Sequence, residues 1–439
     1  MDMERRQFLV RTGLLLGAGV LAAHSSGCQT PEEVRRRAYP YEDWTAVRNA
    51  FELDRRKIHM AGFLLASHPT PVREAIERHR RALDDDPASY WGENEERAEA
   101  AVLGEAADYL GVSRTEIALT DSTTMGLGLL YGGIRLGQGE EILSTIHDHY
   151  STEMSLRHRA ERTGASFRQI PLYKDLSTVS QAEIVQTLVT AIRPETRYVA
   201  VTWVHSSTGL KLPIRSIARA LATLNSSRPE AKRLLLCVDG VHGLGVENVA
   251  LSDLGCDFFV AGTHKWMFGP RGTGLVWGTR EAWPRAEPTI PTFDAEAYRM
   301  WMKLIPQAPI RKAAQMTPGG FHSFEHRWAL NEAFKFHKAM GKAQVTERIY
   351  ALNQQMKQGL AKMPHVTLHT PMSQDLSAGI ICFEVAGKSP KQVVEELKGA
   401  RIIASVTPYG TQYARVAPSL LNTPGEVDEV LRVIRDLRV

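Results

Sequence analysis

The sequence predicts an α/β protein: a mostly parallel central sheet flanked by helices, followed by a smaller α+β C-terminal domain. Leu234-Leu235-Leu236-Cys237-Val238 and Arg197 to Val204 (RYVAVTWV) are near-continuous apolar runs, the pattern of strands buried on both faces. Both runs stop in small or polar residues, Asp239-Gly240 and His205-Ser206. Reactive side chains therefore gather at strand ends, where open α/β sheets keep their ligand sites. Nearer the C-terminus, short strands at Ile380 to Val385 and Arg401 to Ala404 alternate with helices near Pro390 to Leu397 and Gly425 to Leu437. The 439 residues, 43% of them hydrophobic, suffice for two cores. The expected division is a leader at 1–30, a linker and N-terminal helix at 31–60, a large domain at 61–320, and an interdomain helix with the small domain at 321–439.

The leader carries twin arginines in Glu4-Arg5-Arg6-Gln7-Phe8-Leu9, then a Gly- and Ala-rich apolar stretch from Leu14 to Ala23. That stretch is too short for a permanent membrane span. A basic start, an apolar middle and small residues beyond fit an export signal of the twin-arginine type, which predicts a periplasmic or other extracytoplasmic protein. Ser25-Ser26-Gly27-Cys28 is similar to a lipoprotein acylation site, although Ser25 stands where an aliphatic residue is usual. Membrane contact is expected only through the leader or a lipid on Cys28. The net charge of +4 is small, and no basic block interleaved with aromatics points to nucleic acid. Cys28, Cys237, Cys256 and Cys382 show no metal-type spacing, and no structural disulfide is expected.

In chain order, Phe63 to His68 precedes a helix starting near Pro71. Glu116 to Thr120 reads as a strand, and Asp121-Ser122-Thr123-Thr124 opens the next helix with either a good N-cap or a phosphate cradle. The Gly126-x-Gly128-x-x-x-Gly132 pattern lies inside that helix rather than before it, so it is no dinucleotide fingerprint. The strand Glu141 to Thr145 ends in His147 and His149, which could ligate a metal with His242 or His264. Asp257 to Gly278 reads as two strands around a glycine-dense turn that carries Lys265. Partial burial would lower the pKa of that lysine and expose a nucleophilic amine. Upstream, Asp239 at a buried strand end needs a cationic partner to offset its desolvation. Pyridoxal phosphate (PLP) meets both needs: an Asp holds its ring nitrogen protonated while a Lys forms the imine.

Strand–Asp–x–x–His, then strand–x–His–Lys–x–x–x–Gly–Pro–x–Gly, resembles the class V aminotransferase group of fold-type I PLP enzymes over roughly residues 60 to 439. That group includes cysteine desulfurases and isopenicillin N epimerase-like proteins. The resemblance implies that Lys265 holds PLP as an imine and later shuttles a proton, with Asp239 on the ring nitrogen. It implies a histidine stacked on the ring, a role that fits His147 or His149, with His147 preferred. Thr123 and Thr124, with Ser122 adjacent, fall at the phosphate, and His264 with them. His242 falls at the ring oxygen or at Asp239. Ser206 falls near the ring hydroxyl, although desulfurases carry Ser-Asn where this chain has His205-Ser206. The loop around Gly320 corresponds to one that reaches the partner's phosphate, so a homodimer is implied. Arg415, in a stretch similar to the family's C-terminal Arg–…–Asn-Thr signature, would read a substrate carboxylate.

The expected function is PLP-dependent transamination or epimerisation of an amino acid or amino-acid-derived carboxylate. β- or γ-elimination by a lyase and a non-catalytic exported binding protein of the same fold are the alternatives. Desulfuration through a mobile-loop cysteine is set aside, because Ala404 to Thr411 contains no Cys. Replacing Arg5 and Arg6 together by Lys should leave the precursor in the cytoplasmic fraction; unchanged export on cell fractionation would remove the twin-arginine assignment.

Overall fold

The computed structural model describes residues 43–308 and 312–437. The expected leader, Cys28 and the start of the linker lie outside the described residues. The first described helix, Trp44–Asn49, is capped by Asp43, whose side chain accepts from the Ala46 N–H. Strand β1 (Ile58–His59) follows.

The central sheet is built from β2 (Ile117–Thr120), β3 (Glu141–Thr145), β4 (Ser166–Ile170), β5 (Thr196–Thr202), β6 (Leu235–Asp239), β7 (Phe258–Gly262) and β8 (Gly274–Gly278). Their spatial order is β2-β8-β7-β6-β5-β3-β4. The pairings from β7 through β6, β5 and β3 to β4 are parallel, and only β8 runs antiparallel to its neighbours. Successive side chains enter opposite cores. Val199, Leu236, Val238 and Phe259 pack on one side, while Ala200, Leu235, Cys237 and Phe258 pack on the other. A sheet buried on both faces needs apolar residues at every position, which is why these strands read as continuous runs rather than alternations. Cys237, Cys256 and Cys382 are all free and buried.

The remaining strands, β9 (Val366–Leu368), β10 (Ile381–Val385), β11 (Ile402–Ile403), β12 (Ser405–Val406) and β13 (Ala414–Val416), belong to the small domain. There β12-β13-β10-β9 form an antiparallel sheet, and β11 pairs in parallel with β1, so the chain before residue 61 is stitched to the C-terminal domain. The helix Phe324–Met340 packs against Thr70–Asp85 and Pro87–Leu110, whereas Lys342–Ala361 packs against Pro424–Asp436 and β9. Among the described residues, no helix is long and apolar enough to cross a membrane.

Two glycines set the approach of elements near the strand ends. A Cβ on Gly126 would come within 2.6 Å of the Val260 side chain, so this glycine lets its helix lie close on the sheet. A Cβ on Gly240, the residue after Asp239, would stand 1.9 Å from the Phe259 ring. Gly240→Ala should therefore destabilise the protein by about 1–3 kcal/mol through overpacking. In urea unfolding, Gly240→Ala combined with Phe259→Leu should lose less than the two single changes together; simple additivity would show that the ring is not the obstacle.

Candidate active site

The C-terminal ends of β2, β3, β5, β6 and β7 open onto a cavity of about 170 Å³. From β6, Asp239 is 2% exposed, and its Oδ1 accepts the Val241 N–H at 3.2 Å. Burial pushes this carboxyl up to about 6, against the pull of that N–H and of the Lys265 charge. From the end of β7, half-buried Lys265 lines the same cavity. Burial lowers its pKa to about 8, Asp239 opposes the shift and Arg415 adds to it.

His242 connects these two strand ends. The Trp266 indole, which can only donate, points Nε1–H at His242 Nδ1 at 3.3 Å. Neutral His242 is thereby held with its proton on Nε2, the atom 3.4 Å from Lys265 Nζ. Burial, followed by Lys265 and Arg415, depresses the pKa of this imidazole well below the ordinary value and keeps it neutral. An Nε2–H facing Lys265 is best accepted by the lone pair of an uncharged amine.

At the end of β2, Ser122 caps the helix Thr123–Gly133 through the Met125 N–H. Thr123 Oγ1 accepts the Gly262 N–H at 2.9 Å, and Thr124 Oγ1 lies 2.9 Å from Ser151 Oγ. Helix geometry leaves the first-turn N–H groups without helical acceptors, and Ser122, Thr123 and Thr124 all line the cavity. His264 lines it too, its pKa lowered by burial and by Lys265.

The two histidines after β3 separate. Asp148 turns back to accept from Ser144 Oγ, the Thr145 N–H and Oγ1, and the Thr202 N–H at the end of β5. This pins the turn between them. His149 caps the helix Tyr150–Thr163 and lines the cavity. His147 is off the wall: its ring stacks on Tyr173 at 4.4 Å, and its Nε2 accepts the Leu172 N–H at 3.2 Å. Gly320 is also off this wall, on the loop before Phe324–Met340, where its carbonyl meets His322 Nδ1 at 3.2 Å.

From β13, Arg415 is 2% exposed and crosses to the large domain. Its Nε donates to Ser405 Oγ at 3.0 Å, Nη1 to the Ser206 carbonyl at 2.9 Å, and Nη2 to the Val406 carbonyl at 3.3 Å. The Phe63 ring centroid lies 4.7 Å from its Cζ. Leu64, Thr202 and Pro408 also line the cavity. The apolar run in the sequence extends to Val204, so Thr202 stands inside it without signal as a site residue, whereas the structure ends β5 at Thr202. Pro408 carries no signal beyond its loop.

The wall fits PLP. Thr202 Oγ1 and His264 Nδ1 are buried without hydrogen-bond partners. Asp239, Lys265 and the helix start at Thr123 supply, around one cavity, an acid for the ring nitrogen, an amine and an anion-favouring end. Among the described residues, no group of three or more His, Cys, Asp or Glu is placed to hold a metal ion.

Fold and wall together define a fold-type I PLP enzyme architecture. Residues 93–433 match the family described as aminotransferase class-V, and the chain belongs to that PLP-dependent family. It is 27% identical over 354 residues to isopenicillin N epimerase of Streptomyces clavuligerus, covering 78% of this chain and 84% of that protein. It is also 27% identical over 294 residues to a probable cysteine desulfurase of Halalkalibacterium halodurans, covering 65% and 66%. A structure of a C-DES variant with glycine covalently linked to its PLP cofactor superposes with a TM-score of 0.79 at 21% identity, covering 89% of this chain and 99% of that one.

In cofactor-free protein, the rate at which an amine reagent modifies Lys265 should reach half its maximum near pH 8, against about 10.4 for an ordinary lysine. Because the unfolded chain keeps this proton to higher pH, the folded state should gain stability as pH climbs through that window. Lys265→Met should flatten the gain; an unaltered slope would assign it to other groups.

Proposed function

We propose that this chain is a PLP-dependent enzyme that transaminates or epimerises an amino acid or amino-acid-derived carboxylate, working outside the cytoplasm after twin-arginine export and as a homodimer. One observation carries the reading: the Lys265 amine and the Asp239 carboxylate, from two strand ends of the large domain, and the Arg415 guanidinium, from β13 of the small domain, share one small cavity. When bound, PLP supplies an electron sink that weakens the bonds at the substrate Cα.

Each role belongs to this chain's own side chains. Asp239, whose carboxyl burial holds at about 6, ionises fully when a cationic ring nitrogen stands beside it, and so keeps that nitrogen protonated. Ser122, Thr123, Thr124 and His264 hold the phosphate, and His149 rather than His147 is the imidazole available to the ring. Ser206 and His242 serve the ring oxygen. Lys265 Nζ anchors the cofactor, then takes the proton from the substrate Cα and returns it. A neutral amine is needed for that, and the His242 proton on Nε2 favours one. Arg415 has five N–H groups, and three are engaged by Ser405, Ser206 and Val406. The two left, one on each terminal nitrogen, suit a carboxylate's paired oxygens.

The decisive measurement is the visible spectrum of the purified protein before and after borohydride, with mapping of the modified peptide. Reduction should bleach the colour and leave the cofactor on Lys265; a colourless protein that takes up no added PLP would overturn the assignment. Lys265→Ala should lose turnover while keeping the fold. Arg415→Lys should raise the apparent Kd for amino-acid substrates about 10- to 100-fold, the share of a charge-assisted hydrogen-bond pair; unchanged affinity would remove Arg415 from the carboxylate.

A further inference from the structure

Tyr409 lies in the loop between β12 and β13, four residues past Ser405 and six before Arg415. Its hydroxyl is 2.7 Å from Ser206 Oγ, across the boundary between the domains. Burial pushes this phenol up to about 12, so it stays a hydrogen-bonding hydroxyl at any physiological pH. The ring meets His149 edge-on at 6.2 Å, and the neighbouring Pro408 lines the cavity. Ser206 is therefore held from two sides by the small domain. Its hydroxyl meets Tyr409, and its carbonyl accepts the Arg415 Nη1–H at 2.9 Å.

A guanidinium can swing about its long stem, and a carboxylate is read bidentately only if the fork is fixed in its plane. Two of the three groups that fix Arg415, Ser405 and Val406, come from its own small domain. The third, the Ser206 carbonyl, is the only one of the three from the large domain, and so the one whose position depends on how the two domains meet.

We infer that Tyr409 is a positioning residue for carboxylate recognition: by clamping the Ser206 hydroxyl it sets the carbonyl that orients Arg415 toward the substrate. This rests on the carboxylate-reading role proposed above for Arg415. Loss of the phenolic hydroxyl should thus impair a ligand with a carboxylate and spare one without. A residue that merely shaped the cavity would treat the two alike.

The test titrates the PLP-loaded protein with L-alanine and, separately, with ethylamine, its carboxylate-free counterpart, following the visible absorbance. Tyr409→Phe should raise the apparent Kd for L-alanine about fivefold, the share of one neutral hydrogen bond, and leave that for ethylamine unchanged. Ser206→Ala removes the same bond from the other side, so the Ser206→Ala/Tyr409→Phe double variant should be no weaker for L-alanine than the worse single variant. An unaltered borohydride-reducible chromophore and an unaltered thermal midpoint in Tyr409→Phe would show an intact fold. Equal weakening of both ligands, no change with either, or additive losses in the double variant would each overturn the inference. A wild-type protein without a reducible chromophore would instead defeat the cofactor reading itself.

Discussion

The desolvation of two opposite charges at the ends of adjacent strands governs the rest of this structure. Asp239 ends β6, and Lys265 follows β7, its parallel neighbour. Burial moves both groups toward neutrality, the acid up to about 6 and the amine down to about 8. Each shifted pKa unit corresponds to about 1.4 kcal/mol between charged and neutral forms. The surrounding sheet, buried on both faces, supplies the apolar environment behind that shift. Elements that look purely structural act on it. Gly240 lets the turn after Asp239 lie over Phe259, and Gly126 brings the helix Thr123–Gly133 down onto Val260. Trp266 sets the tautomer of the imidazole beside the amine.

How much of this was legible in the sequence follows from the range of each interaction. The buried strands and their polar ends could be read because a two-faced sheet forces uninterrupted apolar runs, and Asp239, Lys265 and the Ser122–Thr124 helix start follow directly from them. His147 against His149 could not be settled that way. Two positions of one loop differ only by the turn between them, and that turn is fixed by Asp148 accepting from β3 and β5 together. Periodicity carries nothing about such a non-local carboxylate. The attachment of β1 to β11 was equally hidden, since a strand of two residues, Ile58–His59, has no period to detect. Tyr409 was visible only as part of a stretch without cysteine; its partner lies 203 positions away.

The two domains are joined at the cavity itself. The segment after β5 is bonded to the small domain at several points beside Ser206. The Thr370 hydroxyl donates to the Thr208 carbonyl, and the Lys211 N–H donates to the Leu376 carbonyl. Gly209, at φ +76°, would place a Cβ 2.3 Å from the Ile380 carbonyl, so the two backbones lie in direct contact there. These hydrogen bonds lie at Thr208 and Lys211, beyond the Ser206 carbonyl that accepts from Arg415. Ser206 itself meets the small domain through its own two contacts, the hydroxyl with Tyr409 and the carbonyl with Arg415.

The histidines around the cavity complete the electrostatic argument. His149, His242 and His264 all have pKa values lowered first by burial and then by nearby cations, Lys265 in every case. Around neutral pH they are uncharged, so the pull on an anionic ligand comes from Arg415 and from helix N–H groups rather than from imidazolium. That separates binding from proton transfer. Arg415 keeps its charge across the physiological range, while beside the reacting centre burial moves Asp239 up to about 6 and Lys265 down to about 8. A pH profile of the chemistry should therefore belong to that pair, and a cationic nitrogen beside Asp239 would draw its carboxyl down and out of the range. The remaining limb is then the lysine's, the group that must lose its proton before it can act as a base.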